Sequence, residues 1–190
     1  GDDLRTLGPP WVISPESGHE ESTYFQTVNR GKRSVTLDFA APEGATILRG
    51  LVQTADVFIE NFRTGTLARY GLGYDDLAAI NPRLVYCSIT GFGQTGPYSD
   101  RSGYDYLVQA MGGQMAVTGL PEGAVGAGPM RVGVPIADIT AGNNAVIAIL
   151  AALLHRTQTG RGQHLDIALF DSPVALLLNN LGAWLNARAP

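Results

Sequence analysis

Cysteine, histidine and charged residues are scarce in this chain of 190 residues, and each shortage excludes a class of protein. The single cysteine, Cys87, cannot form an internal disulfide or a multi-cysteine metal site, so a reducing compartment fits the composition. Charged residues make up 16%, and the net charge of −4 argues against broad binding to nucleic acid or to anionic membranes. No apolar run reaches the roughly 18–20 residues of a membrane span.

Several common catalytic motifs are missing as well. The chain has no Walker A sequence, no G-x-S-x-G elbow and no H-E-x-x-H pair. The three histidines are scattered, and the positions of His155 at a predicted helix end and His164 at a predicted strand start favour structural roles. We therefore expect neither a metal site nor a prosthetic group.

Alternating strand and helix patterns occupy the first half of the chain after an irregular opening of 33 residues. That opening contains one predicted short helix near residues 22–28. The strands are predicted in "RSVTLDF", "DVFIENF" and "LVYCSITGFG", with a helix from Pro42 and short helices at Thr66–Tyr70 and Tyr74–Ile80 between them. This order indicates an α/β fold with a Rossmann-like parallel sheet and flanking helices. Ligands of such sheets bind at the carboxyl ends of the strands, here the loops "ENFRTG" and "TGFGQTG".

The second half continues with helices and one further strand. "GYDYLVQAMGGQMAV" predicts a helix broken at Gly112 and Gly113, followed by the glycine-rich loop "GLPEGAVGAGPM". "ITAGNNAVIAILAALLHRTQTG" predicts a long helix that stops at Gly160, and "GQHLDIALF" predicts a strand. "DSPVALLLNNLGAWL" predicts a final helix with Asp171 or Ser172 as its N-cap.

Residues 91–96 match G-x-G-x-x-G after a strand, which by itself indicates a dinucleotide-binding loop. No helix is predicted to start at the third glycine, so no helix N-terminus points at a pyrophosphate. We therefore favour a loop that needs glycine for positive φ angles. Arg69 and Arg101, in or near the loops after the strands, could bind phosphate, although such arginines are more often solvated.

Asp138, in "PIADIT", permits two interpretations. An aspartate just before an apolar helix is typical of an N-cap, and the pattern alone favours that structural role. Alternatively, the carboxylate is a nucleophile that attacks an activated acyl group. A helix N-terminus would stabilise its anion, so the two interpretations do not exclude each other.

Longer stretches resemble one family. "ENFRTGTLARYGLGYDDLAAINPRLVYCSITGFGQTGPYSDRSGYDYLVQAMGG" and "ALLHRTQTGRGQHLDIALFDS" are similar to the class III (CaiB/BaiF-type) coenzyme A transferases. The opening "GDDLRTLGPPWV" and the stretch "ESTYFQTVNRGKRSVTLDF" most resemble the branch that transfers CoA from succinyl-CoA to dicarboxylates.

The resemblance implies a role for named positions. Asp138 would be the nucleophile, passing through a mixed anhydride and an aspartyl-CoA thioester, and CoA would be a substrate. The implied CoA contacts are Leu37, Asp38, Asn61, Phe62, Arg69, Tyr104 and Asp105.

The same fold hosts 2-methylacyl-CoA racemases, which carry an acid/base histidine where this chain has Tyr104 in "GYD". A phenol is a poor base near neutral pH, so we favour transfer over racemisation. A catalytically silent CoA-binding module is the third possibility.

The resemblance also predicts that residues 1–190 are an incomplete large domain, without an N-terminal strand and a C-terminal small domain. It implies an interlocked homodimer for the full-length protein. Its expected location is the cytoplasm, or the mitochondrial matrix in a eukaryote, with no nucleic-acid or membrane partner.

Overall fold

The computed structural model describes residues 2–16 and 18–188. They belong to two compact units, Gly1–Asp38 and Phe39–Pro190. The first unit contains β1 (Trp11–Ile13), β2 (Glu20–Ser22) and α1 (Thr23–Asn29). The second contains α2 (Pro42–Val52), β3 (Val57–Glu60), α3 (Tyr74–Ile80), β4 (Val85–Thr90), α4 (Asp105–Met111), α5 (Gln114–Thr118), α6 (Ile136–Thr159), β5 (His164–Ala168), α7 (Asp171–Leu176) and α8 (Leu178–Ala187). Short 3₁₀ helices cover Asp3–Thr6 and Ala68–Tyr70.

The first unit has more regular structure than its sequence predicts. Strands β1 and β2 pair antiparallel, in a segment expected to be a loop. The predicted short helix is present as α1, and the buried Ser22 is its N-cap, whose hydroxyl accepts a hydrogen bond from the Phe25 N–H. A side-chain oxygen at this position pairs an N–H that the helix itself leaves unpaired.

The strand predicted in "RSVTLDF" is wrong, because residues 32–38 have no regular secondary structure. The ladders among the described residues join β1 to β2 and β3 to β4 to β5. An alternating pattern does not make a strand unless a neighbouring backbone pairs with it. Leu37 and Asp38 therefore end the first unit in an irregular segment.

A parallel sheet in the order β3-β4-β5 forms the centre of the second unit, as the sequence predicts. One sheet face packs against α2, α3 and the segment between β3 and α3, with Val52, Leu72 and Leu77 almost fully buried. The other face packs against α6, where Ala145 and Ala152 contact the β4 and β5 side chains. Helices on both faces explain why β4 is buried almost throughout.

Helix α6 is the longest described element, and it bears on the expectation that no apolar run is long enough to span a membrane. An 18-residue window within its 24 residues has a mean hydropathy of 1.6, so by length and composition it could cross a membrane. The core helix of a globular domain passes the same test, and α6 packs its small residues Ala141 and Ala145 inside the unit. Its outer face carries exposed Ile147 and Leu150. A single helix of this length and composition is therefore only weak evidence for a membrane span.

Helix ends agree with the predictions at some positions and differ at others. Gly160 ends α6 in the left-handed conformation, at φ 73°, and the break at Gly112 and Gly113 separates α4 from α5. The predicted caps Asp171 and Ser172 are wrong, because Phe170 is the N-cap of α7 and uses no side-chain hydrogen bond. A further break at Leu177 divides the predicted final helix into α7 and α8.

We expect Gly162→Ala to destabilise the fold. The Gly162 N–H donates to the Pro82 carbonyl at 2.9 Å, and an added Cβ would collide with the Leu84 carbonyl. Forcing a methyl group into such a contact costs on the order of 2 kcal/mol, which urea denaturation would measure as a lower free energy of unfolding.

The matched control is Gly50→Ala. Gly50 lies in α2, and a Cβ there would meet no atom within 4 Å. Alanine is favoured over glycine inside a helix, so this variant should gain about 0.5–1 kcal/mol. Equal stability of the Gly162→Ala variant and the unaltered protein would contradict the prediction.

Candidate active site

A cavity of about 620 Å³ opens at the carboxyl ends of β3 and β4. Its lining comes from the loop after β3, the end of β4 and the loop that follows it, the start of α4, the first two turns of α6, and Leu169 after β5. The sequence-predicted residues found in its wall are Asn61, Phe62, Tyr104, Asp105 and Asp138. The structure thus brings five of the eight predicted site residues to the sheet edge where ligands of parallel sheets bind.

Asp138 is in the first turn of α6 and does not cap it. Pro135 is the N-cap, and Asp138 is the third residue of the helix. The N-cap interpretation of Asp138 is therefore wrong, because α6 begins three residues earlier than the apolar pattern predicts. The carboxylate remains partly accessible from the cavity and takes no hydrogen bond from the described residues.

Asp105, the first residue of α4, caps α6 in place of Asp138. Its Oδ1 accepts a hydrogen bond from the Ala137 N–H at 2.8 Å, and its Oδ2 accepts one from Gln109 Nε2 at 2.6 Å. Both oxygens of this half-buried carboxylate thus bind protein donors. Its role in CoA binding stays a prediction, while its role in starting α6 is visible in the structure.

The surroundings of Asp138 disfavour its anion. Burial raises the pKa of the Asp138 carboxyl above its ordinary value of 3.8, and the negative charge of Asp105 raises it further. The N-terminus of α6 acts in the opposite sense, since a helix start stabilises negative charge.

A close approach of two backbones shapes the cavity wall between β4 and α4. A Cβ at Gly91 would collide with the backbone of Gly103, and a Cβ at Gly103 would collide with Gly91. The two glycines therefore bring the start of the "GFGQTG" loop against the entry to α4. Gly93 and Gly96 have φ angles of 85° and 92°, and no helix begins at Gly96. The interpretation of this loop as one that needs glycine conformations is confirmed.

Aromatic side chains flank the opening. Phe62 is 41% exposed and packs edge-on against Phe39, with the ring centroids 5.3 Å apart. The Phe62 N–H donates to Glu60 Oε2 at 2.8 Å, which holds the turn after β3. Tyr104 is 63% exposed and stacks on Tyr106. These exposed rings offer apolar surface to the flat or extended parts of a ligand.

Two arginines line the cavity, and the sequence predicted a phosphate-binding role for only one of them. Arg101, a candidate phosphate ligand, is in the wall and stacks over Tyr98 at 4.2 Å. Arg63, which the sequence did not single out, is also in the wall, and its Nη2 donates to the Asp100 carbonyl. Nothing local distinguishes Arg63 from a solvated arginine, because its position depends on the loop after β4.

Arg69 is not among the residues that line this cavity. It lies in the 3₁₀ helix Ala68–Tyr70, and its Nη2 donates to Thr66 Oγ1 at 3.3 Å. Leu37 and Asp38 belong to the first unit. The CoA contacts of these three residues stay predictions.

A smaller cavity, of about 310 Å³, is lined by His164, Ser88 and Tyr74. His164 Nε2 is 2.9 Å from Ser88 Oγ, and its ring stacks on Tyr74. The histidine is thus held by packing and one hydrogen bond, which supports the structural role expected for it. Among residues 2–16 and 18–188, no cluster of three or more His, Cys, Asp or Glu side chains could hold a metal.

Cys87 is excluded as a competing nucleophile. It is fully buried in β4, and burial, with help from the charges of Glu60 and Asp166, raises the pKa of its thiol to about 11. A thiol in this environment stays protonated and unreactive. The carboxylate of Asp138, by contrast, lines the larger cavity and takes no hydrogen bond from the described residues, so it is free for nucleophilic chemistry.

Known proteins resemble this chain in sequence and in fold. The CoA-transferase family III model matches residues 1–189. The chain belongs to CoA-transferase family III. A succinate–glutarate CoA-transferase of Agrobacterium fabrum is 51% identical, covering 100% of this chain and 47% of that protein. The human succinyl-CoA:glutarate CoA-transferase is 44% identical over 93% of this chain and 38% of its own length.

A solved structure agrees with these relatives. The crystal structure of a CaiB/BaiF family protein from Brucella suis superposes with a TM-score of 0.92 at 50% identity, covering 100% of this chain and 49% of that one. The chain thus spans about half the length, or less, of these relatives. The family and the α/β fold predicted from the sequence are confirmed. The interlocked dimer and the compartment stay predictions.

We expect the Asp138 carboxyl to titrate with a midpoint above 3.8, because burial and Asp105 both favour its protonated form. Carbon-13 NMR of aspartate-labelled protein would follow the titration, and the resonance missing from Asp138→Asn would assign it. In Asp105→Asn the midpoint should fall but remain above 3.8, since burial is the larger cause. A wild-type midpoint at or below 3.8 would contradict this account.

Proposed function

We propose that the whole protein transfers coenzyme A from succinyl-CoA to a dicarboxylic acid such as glutarate, with Asp138 as the nucleophile. The observation that carries the proposal is the placement of this carboxylate. It faces a cavity in the first turn of α6, while Asp105 performs the capping task that would otherwise engage it. The names of the relatives from Agrobacterium and human support the choice of substrates.

The chemistry requires only a carboxylate nucleophile that acts without a base. The Asp138 carboxylate attacks the thioester carbonyl, the C–S bond breaks, and a mixed anhydride and CoA thiolate form. The thiolate then attacks the Asp138 carbonyl, releasing succinate and leaving an aspartyl-CoA thioester. The acceptor carboxylate reverses these two steps, giving its own CoA thioester and free Asp138. Each step exchanges one anion for another, so none requires a proton.

The wall of the cavity offers the other groups that this reaction needs. The backbone N–H groups at the N-terminus of α6 favour negative charge beside Asp138. Arg63 and Arg101 can bind a phosphate of CoA or the second carboxylate of the acceptor. The exposed rings of Phe62 and Tyr104 can pack against the apolar parts of the acyl-CoA.

We expect Asp138→Asn to reduce kcat for transfer from succinyl-CoA to glutarate by at least about 10³-fold, because an amide cannot form the anhydride. Chromatographic measurement of glutaryl-CoA would give the rate. Hydroxylamine added with succinyl-CoA should label Asp138 in the unaltered protein, which mass spectrometry of peptides would detect.

Asp171→Asn is the matched control, since Asp171 is in the first turn of α7 and does not line the larger cavity. Asp171→Asn should keep full activity.

The Asp138→Asn variant should be at least as stable as the wild type at neutral pH. The raised pKa of the Asp138 carboxyl means that its ionisation opposes folding, and the variant removes that cost. Normal transfer by Asp138→Asn would refute the proposed function.

A racemase is the competing activity, and it needs bases on both sides of an α-carbon. Tyr104 is a poor base near neutral pH because it is a phenol. Asp105, the carboxylate beside Tyr104, has both oxygens in protein hydrogen bonds. In deuterated water, we expect no deuterium in a 2-methylacyl-CoA incubated with the protein. Incorporation that depends on Tyr104 would favour the racemase. Tight CoA binding by calorimetry without either activity would instead indicate a silent binding module.

A further inference from the structure

Gln109 connects three segments around Asp138 through a side chain that is 0% exposed. From α4, its Nε2 donates to Asp105 Oδ2 at 2.6 Å. Its Oε1 accepts a hydrogen bond from the Val132 N–H at 3.0 Å, three residues before the N-cap of α6. Both ends of this amide thus have partners.

The connection continues through Asp105 to the nucleophile's own helix. Asp105 Oδ1 accepts from the Ala137 N–H, and Ala137 directly precedes Asp138. One buried amide therefore holds both the chain that enters α6 and the carboxylate that caps it. Hydrogen bonds to an ionised, partly buried carboxylate are among the stronger ones in proteins, and leaving one partner unpaired is costly.

Loss of the amide would affect Asp138 in two ways. Without the Gln109 donor, the Asp105 carboxylate is free to turn away from Ala137, and the first turn of α6 then loses its cap. Without the Gln109 acceptor, the segment at Val132 loses its anchor to α4. Both changes displace the Asp138 carboxylate, while Gln109 itself does not line the cavity.

We propose that Gln109 is a positioning residue for Asp138, acting through Asp105 and through the segment that leads into α6. The inference deepens the proposed function and rests on it. A displacement of about 1 Å of a reacting group costs on the order of 10²-fold in rate, whereas a residue outside the cavity contributes little to substrate binding.

The first test uses Gln109→Met, which keeps approximate size without polar atoms, and Gln109→Glu, which keeps shape but replaces the donor with an acceptor. We expect kcat for CoA transfer, per folded molecule at pH 7.5, to fall at least tenfold in both. The KM for succinyl-CoA should stay within about twofold.

The second test exchanges the donor and the acceptor. Combining Asp105→Asn with Gln109→Glu lets the new amide donate to the new carboxylate, while the Ala137 and Val132 N–H groups keep their acceptors. We expect the double variant to recover at least fivefold in kcat over Gln109→Glu alone, a non-additive effect that packing would not produce. If Gln109→Glu does not fold, recovery of folded, active protein by the double variant is the same signal.

Gln114→Met is the matched control. Gln114 is a buried glutamine of α5, and its Oε1 has no hydrogen-bond partner among the described residues. This variant should keep full kcat. If Asp138→Asn is inactive, a normal kcat in Gln109→Met would overturn the positioning role. Strictly additive effects in the double variant would overturn it as well. Activity in Asp138→Asn would instead reject the proposed function itself.

Discussion

The hydrogen bond from the Ala137 N–H to Asp105 is the interaction on which the candidate site depends. A helix start leaves N–H groups unpaired, and a side chain at the N-cap normally pairs one of them. The N-cap of α6 is Pro135, which has no side-chain donor or acceptor to offer. Asp105 supplies the acceptor from a different helix. Asp138 is then available to the cavity, next to a helix N-terminus that favours its anion.

A carboxylate suits this environment better than the other nucleophiles of the chain. Cys87 is buried in the sheet and its thiol stays protonated, and His164 is packed against Tyr74. A carboxylate needs no partner base, because the reference pKa of aspartate, about 3.9, lies far below that of a thiol or an imidazole. Partial burial and the charge of Asp105 oppose the ionised form of Asp138, although its carboxylate stays exposed to the cavity. Function and stability therefore oppose each other at this position.

Sequence patterns predicted the second unit better than the first. Strands β3, β4 and β5 and helices α2 and α6 have strong periodic patterns, and their order leads directly to a parallel sheet. The pattern in "RSVTLDF" is equally strand-like, yet residues 32–38 are irregular because the described ladders do not include them. The pairing of β1 with β2 escaped prediction, since each strand has three residues and too few alternations to recognise.

The sequence alone determined the family, the position of the cavity at the carboxyl ends of the strands, and Asp138 as a candidate nucleophile. These depend on the order of local elements and on motifs. Tertiary structure decided how Asp138 is used. A contact between residues 105 and 137, and another between 109 and 132, join positions far apart in the chain, and no local pattern encodes them. They turned a predicted helix cap into a free carboxylate, because the cap came from Asp105 instead.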